Sequence, residues 1–139
     1  TMWEDVGVMR DQAGLDRGLA TLASYAEAIN EMGISGQDHA FNMSWHEWLN
    51  LKSLIRISQA IALAARGREN SRGAHYREDF LDTGSLEDSA NTVIHATDKG
   101  LTLTLEPVDF SIVKPGQSLI DDDAGIPPPS AQYQEEMTS

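Results

Sequence analysis

The sequence contains no cysteine among its 139 residues. This absence excludes disulfides, thiolate metal sites, cysteine nucleophiles and cysteine-ligated iron–sulfur clusters, and it is compatible with a reducing, cytoplasmic compartment. Long apolar runs are also missing. The longest candidate, residues 57–65, falls short of the roughly 18 apolar residues that a membrane-spanning helix needs. We therefore expect no direct insertion of this chain into a membrane.

Positive charge is scarce as well, because 10 Lys and Arg residues face 22 Asp and Glu residues and the formal net charge is −12. Nucleic-acid binding requires a basic face, so it is not expected. Docking onto anionic lipid is disfavoured for the same reason. The basic residues that are present concentrate in one short segment, which either ends a solvated helix or has a role of its own: Arg66, Arg68, Arg72 and Arg77.

Apolar residues recur at helical spacing in the first third of the chain. The spacing predicts an amphipathic helix over residues 11–32, with Asp11 as its N-cap and Gly33 just past its end. One stripe of this helix is expected to face the core: Leu15, Leu19, Leu22, Ala26 and Ile29.

Residues 3–10 are expected to form a shorter helix in front of it, with Trp3, Val6 and Met9 turned inward. The three tryptophans of the chain are interpreted as packing anchors of the helices rather than as a cofactor site. They are Trp3, Trp45 and Trp48.

A second long helix is predicted over residues 45–66. Ser44 and Glu47 match the capping box, in which two side chains satisfy each other's backbone donors, and Gly67 follows as a stop signal. Apolar residues occupy two faces of this helix, as is typical at the centre of a bundle. The residues expected to be buried between the two long helices are Leu19, Leu22, Ile55, Ile57 and Ile61.

Alternating and β-branched residues over 92–97 and 101–106 predict two strands. Asp98-Lys99-Gly100 between them suits a three-residue hairpin loop with glycine in the left-handed region. Residues 108–113 could add an edge segment, and the Pro- and Asp-rich residues 114–139 predict an extended arm. The predicted fold class is thus mainly α: a bundle of about three helices, a short β-hairpin and an extended C-terminal arm, with residues 1–113 forming the helical domain and its hairpin.

Two segments invite comparison with metal sites. His39 lies beside Asp38 and seven residues before His46, a spacing that matches no recognised ligand pattern. The run at residues 121–123 is acidic but lacks the spaced ligands of an EF-hand loop. Both are interpreted as solvated, so the sequence predicts no metal ligand.

The densest mixture of functional side chains is Ser71-Arg72-Gly73-Ala74-His75-Tyr76-Arg77-Glu78-Asp79-Phe80, here called the 71–80 motif. Guanidinium groups form bidentate bonds with carboxylates, and Gly73 would permit close backbone approach. An interdomain seam is the favoured interpretation, ahead of a purely local turn and of a direct catalytic role. The candidate interdomain contacts are Arg72, His75, Tyr76, Arg77, Glu78 and Asp79.

If the 71–80 motif is such a seam, its arginines serve assembly rather than the fold of this chain. Alone, Arg72 and Arg77 would make only exposed pairs with neighbouring acids, each contributing about 0–1 kcal/mol. The sequence therefore predicts that Arg72→Ala and Arg77→Ala leave the melting temperature of the chain nearly unchanged.

The 71–80 motif resembles the signature of the C-terminal domain shared by succinate dehydrogenase and fumarate reductase flavoproteins, L-aspartate oxidase and their relatives. The opening Met2-Trp3-Glu4-Asp5-Val6-Gly7-Val8-Met9-Arg10 is similar to the entry of that family into this domain. The resemblance covers residues 1–80 well. Leu81 stands where the family usually has Pro, and no Trp follows it. These differences favour one of the relatives over a respiratory succinate dehydrogenase itself.

The resemblance implies that an FAD-binding domain and a capping domain precede this domain and supply the chemistry. This chain lacks the G-x-G-x-x-G motif of a dinucleotide site. No catalytic or cofactor-binding residue is therefore assigned to it, and the chain alone is expected to be inactive. FAD would belong to the parent enzyme, whose partners include the two other domains and, as a further candidate, an iron–sulfur subunit that could bring it to a membrane. The alternatives are a free-standing acidic interaction module and a dedicated small subunit that pairs with a separate flavin chain.

Overall fold

The computed structural model describes residues 1–35 and 40–119. The candidate metal residues Asp38 and His39, the acidic run 121–123 and most of the predicted arm therefore lie outside the described part. The chain divides into two compact units, Thr1–Val108 and Asp109–Ser139. The elements in chain order are α1 (Met2–Asp5), β1 (Met9–Arg10), α2 (Gln12–Glu31), α3 (Met43–Gly67), β2 (Tyr76–Arg77), β3 (Ala90–Thr97) and β4 (Gly100–Pro107). This order confirms a mainly α fold followed by a β-hairpin.

Helix α2 is amphipathic, and the predicted stripe faces the core. Leu15, Leu22 and Ile29 are buried, while Leu19 and Ala26 are partly buried on the same side. Asp11 caps the helix as predicted, because its Oδ1 accepts a hydrogen bond from the backbone N–H of Gly14 at 2.6 Å.

Helix α3 runs antiparallel to α2. The indole Nε1 of Trp48, near the start of α3, donates to the carbonyl of Ile29 near the end of α2 at 3.0 Å. At the opposite ends Arg66 pairs with Asp16 at 2.6 Å. The helices enclose a core in which Val6, at the end of α1, and leucines of α2 meet alanines of α3. Its buried members are Val6, Leu15, Leu22, Ala62 and Ala65.

The expectation of a helix over residues 3–10 is wrong. Helix α1 ends at Asp5, and of the three residues expected to face inward only Val6 is buried; Trp3 is 86% exposed and Met9 is also exposed. Gly18 explains how α1 is seated, since a Cβ at that position would lie 2.9 Å from Cγ2 of Val6. The tryptophans divide likewise: Trp48 is a packing anchor, Trp45 stacks on it half exposed, and Trp3 anchors nothing in the described part.

The start of α3 differs from the predicted capping box. The N-cap is Asn42, whose Oδ1 accepts from the backbone N–H of Trp45 at 3.2 Å, and Ser44 lies inside the first turn. Asparagine and serine cap equally well. The capping-box pattern therefore identified the right turn but the wrong residue.

Asn42→Ala should lower the free energy of unfolding by about 1 kcal/mol, because the backbone N–H of Trp45 loses its acceptor. Urea titration followed by far-ultraviolet circular dichroism measures this change. Ser44→Ala is the matched control and should stay within about 0.5 kcal/mol of the parent chain, as at an ordinary surface position. A larger cost for Ser44→Ala than for Asn42→Ala would restore the capping box.

The predicted hairpin is present, and β3 pairs antiparallel with β4 from Ala90↔Pro107 to Thr97↔Gly100. Because Thr97 and Gly100 pair, the loop contains two residues rather than the predicted three. Gly100 has a φ of +117°, so the left-handed position is confirmed. Gly67 lets the hairpin reach the end of α3, since a Cβ there would collide with the side chain of Leu103.

Burial on α3 departs from prediction on one face. Ile55 is buried against α2 as expected, but Ile57 is 59% exposed and Ile61 is 48% exposed. Both isoleucines point away from α2, so this expectation is wrong for the chain as folded. The face that they form has no cover within the described part of the chain.

The expected edge segment at residues 108–113 is not a strand. Val108 is the last residue of the first unit, and its backbone N–H donates to the carbonyl of Ser89 at 2.8 Å. Of the second unit, residues 109–119 are described, and the backbone N–H of Gln117 closes a turn on the carbonyl of Lys114 at 3.0 Å. None of the helices in the described residues is long and apolar enough to span a bilayer.

Candidate functional site at the joint of the two long helices

The 71–80 motif lies where α3 ends and α2 begins. Antiparallel packing brings the carbonyl end of α3 beside the N–H end of α2. These ends carry opposite partial charges and unsatisfied backbone groups. Short β2 pairs in parallel with β1, in register Met9↔Tyr76 and Arg10↔Arg77, and fixes the motif against both helix ends.

Arg77 closes the end of α3. Its side chain is fully buried, with 0% exposure. Nη1 donates to the carbonyls of Ala65, Arg66 and Arg68, at 3.1, 3.1 and 3.3 Å. Nη2 donates to Oε1 of Gln12 at 3.2 Å, and the ring of Phe80 lies 4.9 Å from the guanidinium carbon. A cation at this position satisfies the free carbonyls and complements the helix dipole.

Asp79 closes the beginning of α2 and pairs with Arg77. Its Oδ2 accepts from the backbone N–H of Gln12 at 2.8 Å, and its two oxygens accept from Nη2 and Nε of Arg77, each at 2.7 Å. The hydrogen bonds from Arg77 lower the pKa of Asp79 to about 2 and raise the pKa of Arg77. The bidentate ion pair therefore joins the two oppositely charged helix ends.

His75 is buried beside this pair. Its Nδ1 lies 2.9 Å from Nη1 of Arg10, and its Nε2 lies 3.3 Å from the carbonyl of Arg68. A guanidinium only donates hydrogen bonds, so Nδ1 accepts and Nε2 carries the proton. Burial lowers the pKa of His75, and the charges of Arg68, Arg10 and Arg77 lower it further, against the hydrogen bond to the carbonyl of Arg68. His75 is thus a neutral bridge between β1 and the end of α3.

The free energy of unfolding should fall as the pH drops from 7 towards 5. The unfolded chain takes up a proton at the ordinary histidine pKa of about 6.5, whereas the folded-state pKa of His75 is lower. The stabilisation from neutral His75 is therefore complete above about pH 6.5 and is lost below it. His75→Asn can still accept from Arg10 but does not titrate. Urea titrations across this range should give a shallower pH dependence for the variant, and an unchanged slope would contradict the lowered pKa of His75.

Ser71 holds the motif in a closed loop. Its Oγ accepts from the backbone N–H of Arg77 at 2.8 Å and donates to the carbonyl of Phe80 at 2.8 Å. A two-residue turn links Arg72 to His75, whose backbones bond to each other in both directions. Gly73 has a φ of +60°, and a Cβ there would meet open space. This glycine is therefore needed for its conformation and not for close backbone approach as expected.

Arg72 binds the loop that leads to the hairpin. Its Nε and Nη2 donate to the carbonyl of Thr83 at 3.1 and 2.9 Å, Nη2 also reaches the carbonyl of Ser85 at 2.9 Å, and Nη1 donates to Oγ of Ser89 at 2.8 Å. Arg72 thus bonds to backbone and hydroxyl groups and not to the acids expected from the sequence. The expectation that both arginines make only exposed ion pairs is wrong.

Tyr76 and Glu78 are exposed members of the motif whose side chains take no part in the joint. Tyr76 is 39% exposed and Glu78 is exposed. Neither side chain has a hydrogen bond or an ion pair with the residues that the structure describes. The structure thus brings His75, Arg77 and Asp79 together, sends Arg72 to the hairpin loop and leaves these two side chains available. Sequence reasoning missed Arg10 and Gln12. Each lies 65 residues along the chain from its partner, His75 or Arg77, and only tertiary packing brings the pairs together.

The joint has no evident place for a metal or for a dinucleotide. Within the described ranges no group of three or more His, Asp or Glu residues could hold a metal ion. The start of α2 is the natural place for a phosphate, but the carboxylates of Asp11 and Asp79 occupy its N–H groups and would repel one. No buried side-chain nitrogen or oxygen in the described part lacks a hydrogen-bond partner. The polar groups of the joint therefore satisfy one another and both helix ends.

Residues 1–120 match the family model described as fumarate reductase flavoprotein C-term. The chain therefore belongs to the family of C-terminal domains of succinate dehydrogenase and fumarate reductase flavoproteins, as the resemblance of the 71–80 motif implied.

The relatives agree with this assignment. An uncharacterized FAD-dependent oxidoreductase of Methanocaldococcus jannaschii is 29% identical over 80% of this chain and 19% of its own length. The succinate dehydrogenase flavoprotein subunit of Coxiella burnetii is 34% identical over 68% of this chain and 15% of its own length. Among solved structures, a variant of Escherichia coli quinol fumarate reductase FrdA has the same fold, with a TM-score of 0.76 and 22% identity over 84% of this chain and 20% of that chain. The chain thus spans about a fifth or less of the proteins that it matches.

Proposed function

We propose that this chain is the C-terminal, non-catalytic helical domain of an FAD-dependent oxidoreductase of the succinate dehydrogenase and fumarate reductase type. It would complete and stabilise that enzyme by packing on the flavin-binding domain. The observation that carries the proposal is the family match over residues 1–120, together with relatives of which the matched segment is 19% and 15% of the length. The commitment of Arg77, Asp79 and His75 to the helix joint supports a structural role for the domain.

FAD would be held by the other domains of the parent enzyme. The residues described here do not fit that cofactor, because carboxylates already occupy the start of α2 and no glycine-rich phosphate loop is present in the sequence. Within the 71–80 motif, Tyr76 and Glu78 are the side chains best placed to touch a neighbouring domain. An iron–sulfur subunit, and attachment to a membrane through it, remain further elements of the proposal.

The test is to purify the native polypeptide that contains this sequence, alongside the 139-residue chain. We expect the native polypeptide to be larger by mass spectrometry and to show stoichiometric flavin absorption near about 450 nm. The 139-residue chain should be colourless. Flavin bound to the short chain alone would refute the assignment. A native polypeptide of the same mass would favour the alternatives, and co-purification of a separate yellow chain would identify the dedicated small subunit.

A further inference from the structure

A groove with a volume of about 350 Å³ lies between α2 and α3, and it is lined by cationic and amide side chains. Helix α3 contributes Lys52, Arg56 and Gln59, which share one side of the helix at spacings of four and three residues. Helix α2 contributes Asn30. The volume falls within the range of about 300–1,000 Å³ that is typical of small-ligand sites. We propose that this Lys52–Arg56 groove binds an oxyanion, the carboxylate or phosphate group of a small ligand.

The two cations of the groove have no anionic partner within the described part of the chain. Arg56 forms neither an ion pair nor a hydrogen bond there through its side chain. Nζ of Lys52 lies 4.4 Å from the centroid of the Trp48 ring, a contact that leaves its charge unpaired. On the same helix Arg66 does find a carboxylate, that of Asp16 at 2.6 Å. In a chain with 22 acidic residues, two neighbouring cations without a carboxylate can therefore accept an anion from outside.

Carboxylates are absent from the lining of the Lys52–Arg56 groove. Helix α3 offers none nearby, since no Asp or Glu occurs between Glu47 and Glu69. Glu27 and Glu31 of α2 are exposed and do not line the groove. Like charges four residues apart on a helix repel each other, so a bound anion would also relieve that repulsion. The groove thus favours a negative ligand although the chain as a whole is acidic.

Amide donors and an apolar floor complete the groove. Asn30 and Gln59 come from the two different helices, and neither side chain has a hydrogen bond with the described residues, so their N–H groups can donate to a ligand. Ile29 and Ile55 also line the groove and are buried. An apolar floor strengthens the hydrogen bonds formed above it and offers surface to a short carbon skeleton. The expected ligand is therefore a small organic anion whose charged group contacts the two cations.

The rate at which phenylglyoxal modifies Arg56 tests the site, because this reagent attacks accessible guanidinium groups and a bound oxyanion shields them. Mass spectrometry of the peptide that contains Arg56 measures the rate in the 139-residue chain, with inorganic phosphate, with acetate and with chloride at equal ionic strength. Saturating phosphate or acetate should slow the reaction about fivefold or more relative to chloride, as mass action requires of an occupied site. Arg17, 66% exposed and paired with Asp5, is the matched control in the same sample and should react equally in all three salts.

Two variants locate the bound anion. Lys52→Gln removes the second cation of the groove and should abolish most of the protection of Arg56. Lys99→Gln removes a cation from the loop between β3 and β4 and should leave the protection unchanged. Circular dichroism checks that both variants keep their helices. Stronger protection by phosphate than by acetate would identify a phosphate ester as the ligand, the reverse would identify a carboxylate, and either result supports the site.

Three outcomes would overturn the proposal. Arg56 could react equally in all three salts, or its protection could survive Lys52→Gln; neither result is compatible with an anion held between the two cations. The third outcome comes from the same measurement on the native flavin-bearing polypeptide. Slow reaction of Arg56 there in every salt would mean that a neighbouring domain fills the groove, which would refute the small ligand and leave the proposed function intact.

Discussion

Arg77→Ala is expected to lower the free energy of unfolding of this chain by at least about 1–3 kcal/mol, the cost of leaving a buried hydrogen-bond acceptor without its donor. The substitution would leave Asp79 without its bidentate partner, and it would strip Nη1 from the carbonyls of Ala65 and Arg66. The end of α3 would lose its closure, and Asp79 at the start of α2 would lose the partner that joins it to α3. Urea titration measures the change, with the helix content followed by circular dichroism at about 222 nm.

Two controls separate the joint from general loss of charge. Arg66→Ala removes a guanidinium of the same kind from an exposed pair with Asp16 and should cost no more than about 1 kcal/mol. Arg77→Lys keeps the charge but loses the planar fork, so its cost should lie between those of the two alanine variants. If Arg77→Ala cost no more than Arg66→Ala, the buried joint would not stabilise the fold.

Leu15→Ala is the second large effect, with an expected loss of about 2–5 kcal/mol. Leu15 has 0% exposure and packs in the buried cluster with Leu22 and Ala62. Truncation there leaves a cavity that the helices cannot close without moving apart. Differential scanning calorimetry and urea titration both measure the loss.

The matched control for Leu15→Ala is Ile57→Ala, which removes an aliphatic side chain of the same size from the exposed side of α3. In the 139-residue chain it should stay within about 0.5 kcal/mol of the parent, as at an exposed position. In the native polypeptide the cost should rise towards that of a core position if that side of the helix is covered. A cost in the short chain equal to that of Leu15→Ala would mean that Ile57 is already buried in solution.

The sequence predicted the elements whose signals are local. The stripe from Leu15 to Ile29 marks one continuous face of α2, so its burial followed from spacing alone. The left-handed conformation of Gly100 followed from its place in a short turn between two alternating runs. The fold class followed from the helical stripes and the alternating runs, and the family followed from the 71–80 motif, whose residue types are unusual together. Each of these signals depends on residues that are close neighbours along the chain.

The failures share a different cause. The sequence of a helix with two apolar faces does not show which of the two packs against its own chain. Ile57 and Ile61 were therefore predicted to be buried against α2, whereas both are exposed. The cap of α3 moved from Ser44 to Asn42 because two good capping residues lay within three positions, and only the path of the chain selects between them.

The sequence by itself determined two amphipathic helices, a hairpin and a cluster of charged residues at 71–80. The tertiary structure alone decided that Arg77 and Asp79 are part of the fold rather than a free surface. Antiparallel packing places the negative end of α3 beside the positive end of α2, and a paired cation and anion satisfy both ends at once. This juxtaposition joins residues 65 positions apart, as in the contact between Arg77 and Gln12. No local pattern in the sequence predicts a contact between residues so far apart along the chain.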